Sequence, residues 1–460
     1  MPAVGDDVCF FVNFVENLFT MGTMNREIFH IALPAIVANV TVPLLGLVDT
    51  AIAGHLGAPS FIGGVAVGTM MFNLVYWNFG FLRMSTSGLT AQCFGARDEA
   101  GSARILLQAG LLAVLIALAL MMLQRPLEWL AIAVIGPSGE VTALASSYFR
   151  LVIWGALPTL VMMAVKGWLL GMQDSRGAMY ISIGVNVLNI IASVVCVYGL
   201  GMGFMGIAVG TLVAEWLGLA ATAGYLAVRY GWLARSAGWR TDGLLAGASR
   251  FFKVSADIFV RSLLMMVMNL AVVSIGARSG DLILAVNALM SQLNIFYAYF
   301  LDGIAFAGEA LVGKYVGRAD EARLRQCVRR LFVWAGVLTA VFTVVYAIPQ
   351  PIFRLLTDDA AVLAESRSYA WWCALLPVAG MAAFVWDGVF IGLTYSRGML
   401  WAVAVSTALF FLIYMALPSS LGNHRLWAAF VIDHVARGAV QTLLYYRRRL
   451  YRIKNPQKIG

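Results

Sequence analysis

The sequence predicts an all-α polytopic membrane protein with twelve transmembrane helices in two six-helix repeats. Of its 460 residues, 61% are hydrophobic and only 12% are charged, and the mean hydropathy is +0.83. Apolar runs of about 20 residues, enough for a helix to cross a hydrocarbon layer of about 30 Å, follow one another along the chain. Two motifs of the first half also return in the second half. This composition leaves almost no room for a soluble domain.

Polar, glycine and proline residues separate the apolar runs and so define the predicted spans. These lie near residues 31–53, 60–82, 103–124, 142–168, 178–198, 204–228, 254–276, 283–312, 328–348, 369–392, 399–417 and 426–446. We expect a first lobe over 24–228, a cytoplasmic linker over 229–253, a second lobe over 254–446 and a basic cytoplasmic tail over 447–460. Residues 1–23 contain acids but no base, so a secretory signal is not expected. They are expected to be a tail or a mis-assigned start, since MNREIFHIALP from Met24 is a more natural beginning.

The placement of lysine and arginine predicts the orientation. Most basic residues lie before the first span, after the even-numbered spans or in the C-terminal tail, and cytoplasmic segments carry such an excess. We therefore expect a multi-pass protein of a bacterial inner membrane with both termini in the cytoplasm. This bias accounts for the net charge of +9, so nucleic-acid binding is not expected. The tail from Arg447 to Lys458 is expected to contact anionic lipids.

The repeated motifs indicate that the two halves have the same fold. The first pair is FGARDEA from Phe94 and VGRADEA from Val316. The second pair is KGWLLGMQDSRGAM from Lys166 and DGVFIGLTYSRGML from Asp387. Six spans per half give both repeats the same orientation, with substrate sites expected near the middle of the membrane.

The stretch from Ile31 to Gly57 combines the first span with three unusual residues. Pro34 and Pro43 each remove a backbone donor and clash with the preceding turn, which predicts kinks. Asp49 lies in the apolar run, where a carboxylate costs several kcal/mol unless it is protonated, paired or facing water. A kinked helix with one acid favours a moving part of a transporter, and the alternative is that Asp49 reaches the outer interface.

The second half carries further charges inside its spans. Asp257 and Arg261 are about one helical turn apart, so their spacing favours mutual neutralisation. Asp302 and Glu309 lie on one face of their helix and are expected to face the cavity, with a role in gating or proton traffic. Structural hydrogen bonding to neighbouring helices is the alternative for these two acids.

Three charges of the first half are harder to assign. Lys166 and Asp387 occupy corresponding positions of the repeats, so a salt bridge between the lobes is a hypothesis. Arg83 is expected to reach the inner interface. Glu215 is either a proton acceptor or a side chain that is bonded to a neighbouring helix.

Several stretches together resemble the multidrug and toxic compound extrusion (MATE) family, and more closely its DinF-type branch. They are LPAIVANVTVPLLGLVDTAIAGHLG from Leu33, GGVAVG from Gly63, LRMSTSGLTAQCFGA from Leu82, DIFVRSL from Asp257, YFLDGIAFAGEALVGKYVG from Tyr299 and the paired GxxxGxxxSRG segments. The resemblance implies a V-shaped pair of six-helix lobes. It also implies export of hydrophobic, often cationic small molecules in exchange for inward H⁺ or Na⁺, by rocking between two states.

The resemblance further implies a cation site in the first lobe. The corresponding residues here are Asp49 on the first span, Asn189 and Ser193 on the fifth and Thr211 on the sixth. Ser193 stands where the family has an aspartate, so a single carboxylate remains among neutral oxygens. Such a set is a poorer cage for a hard cation, which favours H⁺ coupling, with Na⁺ at Asp49, Asn189 and Thr211 as the alternative. No cofactor and no other metal is expected.

The leading hypothesis is therefore an ion-coupled multidrug antiporter, acting as a monomer. Cationic cargo is favoured because Asp49, Asp302 and Glu309 are acidic. A flippase for a lipid-linked precursor is the alternative that shares the fold. An intramembrane enzyme is disfavoured, since the spans contain no GxSxG elbow and no HExxH motif.

Overall fold

The computed structural model describes residues 22–236 and 247–454, which are almost entirely helical. In chain order the α-helices of these residues are α1 (Thr23–Gly54), α2 (Pro59–Tyr76), α3 (Phe81–Ala96), α4 (Glu99–Met122), α5 (Gln124–Ile135), α6 (Gly139–Val152), α7 (Ala156–Gly171), α8 (Ser175–Val194), α9 (Phe204–Ser236), α10 (Ala248–Arg278), α11 (Asp281–Gly317), α12 (Glu321–Tyr346), α13 (Gln350–Leu356), α14 (Ala360–Gly392), α15 (Ser396–Ala416) and α16 (His424–Lys454). Residues 1–21 of the predicted tail, 237–246 of the predicted linker and 455–460 at the C-terminus lie outside the described residues.

Long apolar helices confirm the predicted all-α membrane architecture. Within the described residues, 11 helical segments are long and apolar enough to cross a membrane. Two of these segments are pairs of helices joined by a 3₁₀ turn, α2 with α3 and α6 with α7. The twelfth predicted span lies in α16, which is more polar because it contains Asp433 and Arg437, and both of these residues are buried.

Each half of the chain has its own buried core, and each core also contains the start of the first helix of the other half. Met24 and Ile28, at the start of α1, are buried in the core of the second half. Val254 and Ile258, at the start of α10, are buried in the core of the first half. The first helix of each half therefore begins against the other half and continues within its own.

The first repeated motif forms the same helix junction in both halves. Asp98 begins α4 and Asp320 begins α12, and each carboxylate accepts a hydrogen bond from the backbone N–H three residues later, at 2.8 and 2.9 Å. Such capping satisfies a donor that the helix itself leaves free. The residues just before them, Arg97 and Ala319, have left-handed φ angles of 59° and 56°. The sequence repeat is thus a repeat of backbone conformation.

The helices α3 and α11 cross where the repeated glycines lie. A Cβ atom on Gly95 would lie 2.1 Å from the carbonyl oxygen of Lys314, and one on Gly317 would lie 2.0 Å from that of Gln92. Only glycine allows two backbones to approach so closely. The two halves are therefore in direct backbone contact at these ends of α3 and α11.

The helix α1 continues through both of its prolines. Pro34 has no N–H for the carbonyl oxygen of His30, and Ser175 Oγ donates a hydrogen bond to that oxygen at 2.9 Å. Ser175 opens the repeated SRG segment at the start of α8. A side chain thus replaces the missing backbone donor, while the kinks expected at Pro34 and Pro43 stay a prediction.

Candidate functional site

Asp49 is buried in the last quarter of α1. The residue is 8% exposed, and its Oδ1 has no hydrogen-bond partner in the described part of the chain. This burial does not fit the alternative in which the carboxylate reaches the outer interface. A carboxylate in such a place requires a proton, a cation or water.

The other three predicted residues of the first lobe form a hydrogen-bonded cluster between α8 and α9. Asn189 Nδ2 donates to Thr211 Oγ1 at 3.1 Å, and Ser193 Oγ donates to Asn189 Oδ1 at 3.3 Å. Asn189 and Ser193 are 3% and 0% exposed. The helices can approach here because a Cβ on Gly210 would lie only 2.5 Å from Ser193 Cα. The three neutral side chains of the predicted site are thus hydrogen-bonded to one another.

Tyr148 on α6 connects this cluster to Asp49. Its phenol interacts with the hydroxyl of Thr211 and lies within electrostatic range of Asp49. The ring fills space beside Gly68, where a Cβ would come within 2.6 Å of Tyr148 Cδ1. Sequence reasoning missed Tyr148, and the signal that could have found it is Gly68, at the end of the GGVAVG run, where the ring packs.

The structure pairs Arg261 with Asp387 on α14 instead of with Asp257. Arg261 Nη2 donates to Asp387 Oδ2, and Gln441 Nε2 donates to Asp387 Oδ1 at 2.7 Å. Asp257 Oδ2 accepts a hydrogen bond from Ser396 Oγ at 2.6 Å. The predicted neutralisation of Asp257 by Arg261 is therefore wrong, because the two side chains reach different neighbouring helices.

The hypothesis of a salt bridge between Lys166 and Asp387 is also wrong. Asp387 is occupied by Arg261, as described above. Arg83 and Glu215 lie within electrostatic range of Lys166, and Asp387 does not. Corresponding positions of the two repeats each face their own lobe, so symmetry did not bring the pair together.

Glu309 on α11 is buried and hydrogen-bonded to a neighbouring helix, so the structure shows the alternative given for it and not the position facing the cavity. It is 1% exposed and accepts hydrogen bonds from Arg83 Nη1 at 2.9 Å and Nη2 at 3.2 Å. Ser87 Oγ donates to the same carboxylate at 2.5 Å, and the Arg83 guanidinium lies 4.1 Å from the centre of the Phe306 ring. Arg83 therefore binds Glu309 across the α3–α11 crossing instead of reaching the inner interface.

Asp302 lies on α11 two helical turns before Glu309 of the Arg83–Glu309 pair. Arg83, Glu309, Asp387 and Arg261 are all within its electrostatic range. The residue is partly exposed. It is thus an acid within electrostatic range of both ion pairs, and its role in gating or proton traffic stays a prediction.

Polar contacts between the halves continue along α1 and α11. Lys314 Nζ donates to Glu27 Oε2 at 2.7 Å, near the start of α1. Asn39 Nδ2 donates to the carbonyl oxygen of Tyr299 at 3.3 Å, near the middle of both helices. The two halves therefore touch from the crossing of α3 and α11 to the middle of α1.

Comparison with known proteins decides the family. The MatE family model matches the chain twice, over residues 34–195 and 258–417, once in each half. The chain belongs to the MatE family. This MatE chain is 36% identical over 453 residues to DNA damage-inducible protein F of Escherichia coli strain K12, covering 96% of this chain and 97% of that relative. The resemblance to MATE and DinF-type proteins is thereby confirmed.

More distant relatives and solved structures agree with the MatE assignment. The chain is 23% identical to the probable multidrug resistance protein NorM of Thermotoga maritima, with 75% of each chain covered. The structure matches "Crystal structure of MATE in the bent conformation" with a TM-score of 0.83, 19% identity and coverage of 95% and 97%. It matches "Outward-facing conformation of a multidrug resistance MATE family transporter of the MOP superfamily" with a TM-score of 0.78, 19% identity and coverage of 94% and 97%. At such identity the structural likeness shows the fold alone.

The MatE membership also settles the class of the protein. It is a multi-pass membrane transporter of small molecules and not an enzyme, and its relatives include proteins named for multidrug resistance. Within the described residues there is no group of three or more His, Cys, Asp or Glu side chains arranged to hold a metal ion.

Proposed function

We propose that this protein is a secondary antiporter that exports hydrophobic, cationic small molecules in exchange for H⁺. It works as a monomer in a bacterial inner membrane, by rocking alternating access, with both termini in the cytoplasm and its basic tail against anionic lipid. The observation that carries the proposal is the unpartnered carboxylate of Asp49, buried in the first lobe. Of the four residues of the predicted site, Asp49 is the one whose side chain still needs a proton or a cation.

The surroundings of Asp49 favour H⁺ over Na⁺. A Na⁺ ion needs several oxygens at once, and a cage with one carboxylate holds it weakly. Asn189 Oδ1 already accepts a hydrogen bond from Ser193, and Thr211 Oγ1 accepts one from Asn189. A proton needs only one oxygen, so Asp49 can accept it without breaking this cluster.

Protonation of Asp49 supplies the exchange. The ionised carboxylate attracts a cationic cargo molecule, and the protonated one does not, so proton and cargo compete for one acid. The coupling is reciprocal, because a bound cation must lower the affinity for the proton by the factor by which the proton lowers the affinity for the cation. The contact of α3 with α11 closes one side of the protein, which is the cytoplasmic side in the proposed orientation.

The test is efflux of a cationic dye, ethidium, from liposomes that contain the purified protein under an imposed ΔpH. We expect Asp49→Asn to abolish ΔpH-driven efflux, since the amide stays neutral like the protonated acid. The matched control is Asp358→Asn, which removes an exposed carboxylate and should keep the wild-type rate. Wild-type efflux by Asp49→Asn would overturn the proton site, and efflux driven by an imposed Na⁺ gradient alone would assign the coupling to Na⁺.

A further inference from the structure

Two side chains of α8 donate hydrogen bonds to α1 in the first half. Ser175 Oγ, at the start of α8, donates to the carbonyl oxygen of His30 at 2.9 Å. Asn186 Nδ2, in the middle of the same helix, donates to Thr41 Oγ1 at 3.0 Å. In both bonds the donor and the acceptor residue are 145 positions apart in the sequence. The two helices therefore run parallel along this contact, in one register.

The spacing of the two bonds puts them on one face of each helix. Ser175 and Asn186 are 11 residues apart, and so are His30 and Thr41. A stretch of this length makes about three helical turns and spans roughly 16 Å. Polar side chains stabilise the contacts of neighbouring membrane helices, because lipid offers them no partner. A shift of α1 along α8 by one turn would break both bonds at once, so together they select one register.

Both bonds lie close to a proline of α1. Pro34 leaves the carbonyl oxygen of His30 without its backbone donor, and Ser175 replaces that donor. Thr41, the acceptor of the second bond, lies two residues before Pro43. A side chain that donates to a free carbonyl oxygen is one way in which a membrane helix tolerates proline. The helix α8 thus holds α1 near each of the two places where the hydrogen bonds of α1 itself are interrupted.

The second half does not repeat these bonds. Ser396 corresponds to Ser175 in the repeated SRG segments, but its Oγ donates to the side chain of Asp257 at 2.6 Å and not to a backbone carbonyl. Thr407 corresponds to Asn186, and its buried Oγ1 has no hydrogen-bond partner in the described part of the chain. The helix α10, which corresponds to α1, contains no proline. The pair of bonds is therefore a feature of the half that carries the candidate proton site.

We propose that Ser175 and Asn186 are positioning residues that hold α1 in register with α8 and so set the level of Asp49. Continued toward the end of α1, the same register places Val48 beside Ser193 on α8. Asp49 then lies at the level of the hydrogen-bonded cluster that contains Ser193. The consequence for transport rests on the proposed function, whereas the register concerns the two helices alone.

The register is tested by disulfide cross-linking of the full-length protein in membranes, after the native cysteines are removed. We expect Val48→Cys with Ser193→Cys to cross-link on mild oxidation. Val48→Cys with Val187→Cys, displaced by about 9 Å along α8, should not cross-link. Loss of either donor, in Ser175→Ala or in Asn186→Leu, should lower the rate of the first cross-link about fivefold, the size of effect expected for one hydrogen bond.

Three further variants identify the bonds themselves. Pro34→Ala restores a backbone N–H for the carbonyl oxygen of His30, so it should cancel the effect of Ser175→Ala on the cross-linking rate. It should leave the effect of Asn186→Leu unchanged. Ser175→Thr keeps a hydroxyl donor and should retain the wild-type rate. Ser396→Ala, which removes the corresponding serine of the second half, is the control and should not change the rate.

The consequence for transport is measured as ΔpH-driven efflux of ethidium from liposomes, in protein without the introduced cysteines. Ser175→Ala combined with Asn186→Leu should slow efflux about tenfold or more, because two hydrogen bonds that hold the helix of Asp49 are lost. Ser175→Thr should keep the wild-type rate, since it retains the donor.

Each outcome decides one part of the proposal. No cross-link between positions 48 and 193 in the otherwise native protein would overturn the register, and this result does not depend on the folding of any further variant. A rate that Ser175→Ala and Asn186→Leu leave unchanged would overturn the role of the two donors. A lowered cross-linking rate with wild-type efflux would overturn the positioning of Asp49. If Asp49→Asn keeps wild-type efflux, the proposed function fails, while the cross-links still decide the register.

Discussion

The buried ion pair of Arg83 and Glu309 is predicted to stabilise the state in which α3 and α11 are crossed. The pair joins the two halves, and it must break if these ends of the helices separate during transport. We therefore expect Arg83→Met to shift the protein toward a separated state. Glu309→Gln should have a smaller effect, because the amide is neutral and Ser87 can still donate a hydrogen bond to it.

The size of the shift follows from burial. Removing one partner of a buried pair costs about 3–5 kcal/mol, since the other charge is left uncompensated. The side chain of Glu309 is 2% exposed, whereas that of Arg83 is 18% exposed. The stranded charge in Arg83→Met is thus the more deeply buried one. A cost of about 3 kcal/mol in the crossed state corresponds to a change of about 100-fold in the equilibrium between states.

The assay is a distance measurement by double electron–electron resonance. Spin labels are attached to cysteines at Ala100 and Ala322, exposed residues that occupy the same position in the two repeats. The native cysteines are removed first. We expect one short distance in the wild type and a large additional population at longer distance in Arg83→Met.

The double variant tests the reasoning. Arg83→Met combined with Glu309→Gln removes both charges of this pair, so the crossed state should recover most of its population. Arg318→Met, which removes an exposed arginine at the end of α11, is the matched control. An unchanged distance distribution in Arg83→Met, or a double variant as perturbed as the single one, would refute the role assigned to the pair.

The remaining predictions concern coupling and stability. Ser193→Asp should make efflux depend on Na⁺, because it supplies a second carboxylate, and unchanged ion dependence would mean that the site is misplaced. Gly388→Ala should destabilise the protein by about 1–3 kcal/mol, since its Cβ would lie 2.2 Å from a backbone oxygen of α11, whereas Gly46→Ala, with no atom within 4 Å, should not. Hydrogen bonds from Arg150 hold the pKa of Glu128 below its usual range, so their stabilisation is present above the ordinary pKa of glutamate and lost as the pH falls through the lowered value. Arg150→Met should therefore lower stability in thermal unfolding by about 1 kcal/mol or less at neutral pH and by nothing at strongly acidic pH, and an equal loss at both would contradict it.

Those parts of the fold that depend on local chemistry could be predicted from the sequence. Hydrocarbon thickness fixes the length of an apolar run, so the predicted spans match helical segments of the structure to within a few residues. The repeated Asp98 and Asp320 were recognised as a pattern, and the structure explains them as caps of corresponding helices. The predicted span that is most polar, in α16, is also the one that composition alone does not identify.

The charged side chains could be predicted only in part, because their partners lie on distant helices. Spacing along one helix placed Asp257 and Arg261 on the same face, but it does not say which neighbour covers each of them. Arg261 reaches α14 and Asp257 reaches the start of α15. Glu309 was assigned to the cavity for the same reason, since nothing in the sequence indicates that Arg83 crosses to it. Hydrogen bonds within the first lobe, such as Asn189 with Thr211, could be anticipated only through the family resemblance.

The ion pairs also indicate how the two halves differ in function. A buried pair that is closed, such as Arg261 with Asp387, has no charge to offer a ligand, and its main effect is to hold helices in one arrangement. The Arg83–Glu309 pair does the same between the halves. Asp49 and Glu215 of the first half, and Asp433 of the second, each keep a buried carboxylate oxygen without a hydrogen-bond partner in the described part of the chain, and such an oxygen requires a proton, a cation or water. In the proposed function, the closed pairs hold the conformation, and Asp49 in the first half exchanges the proton.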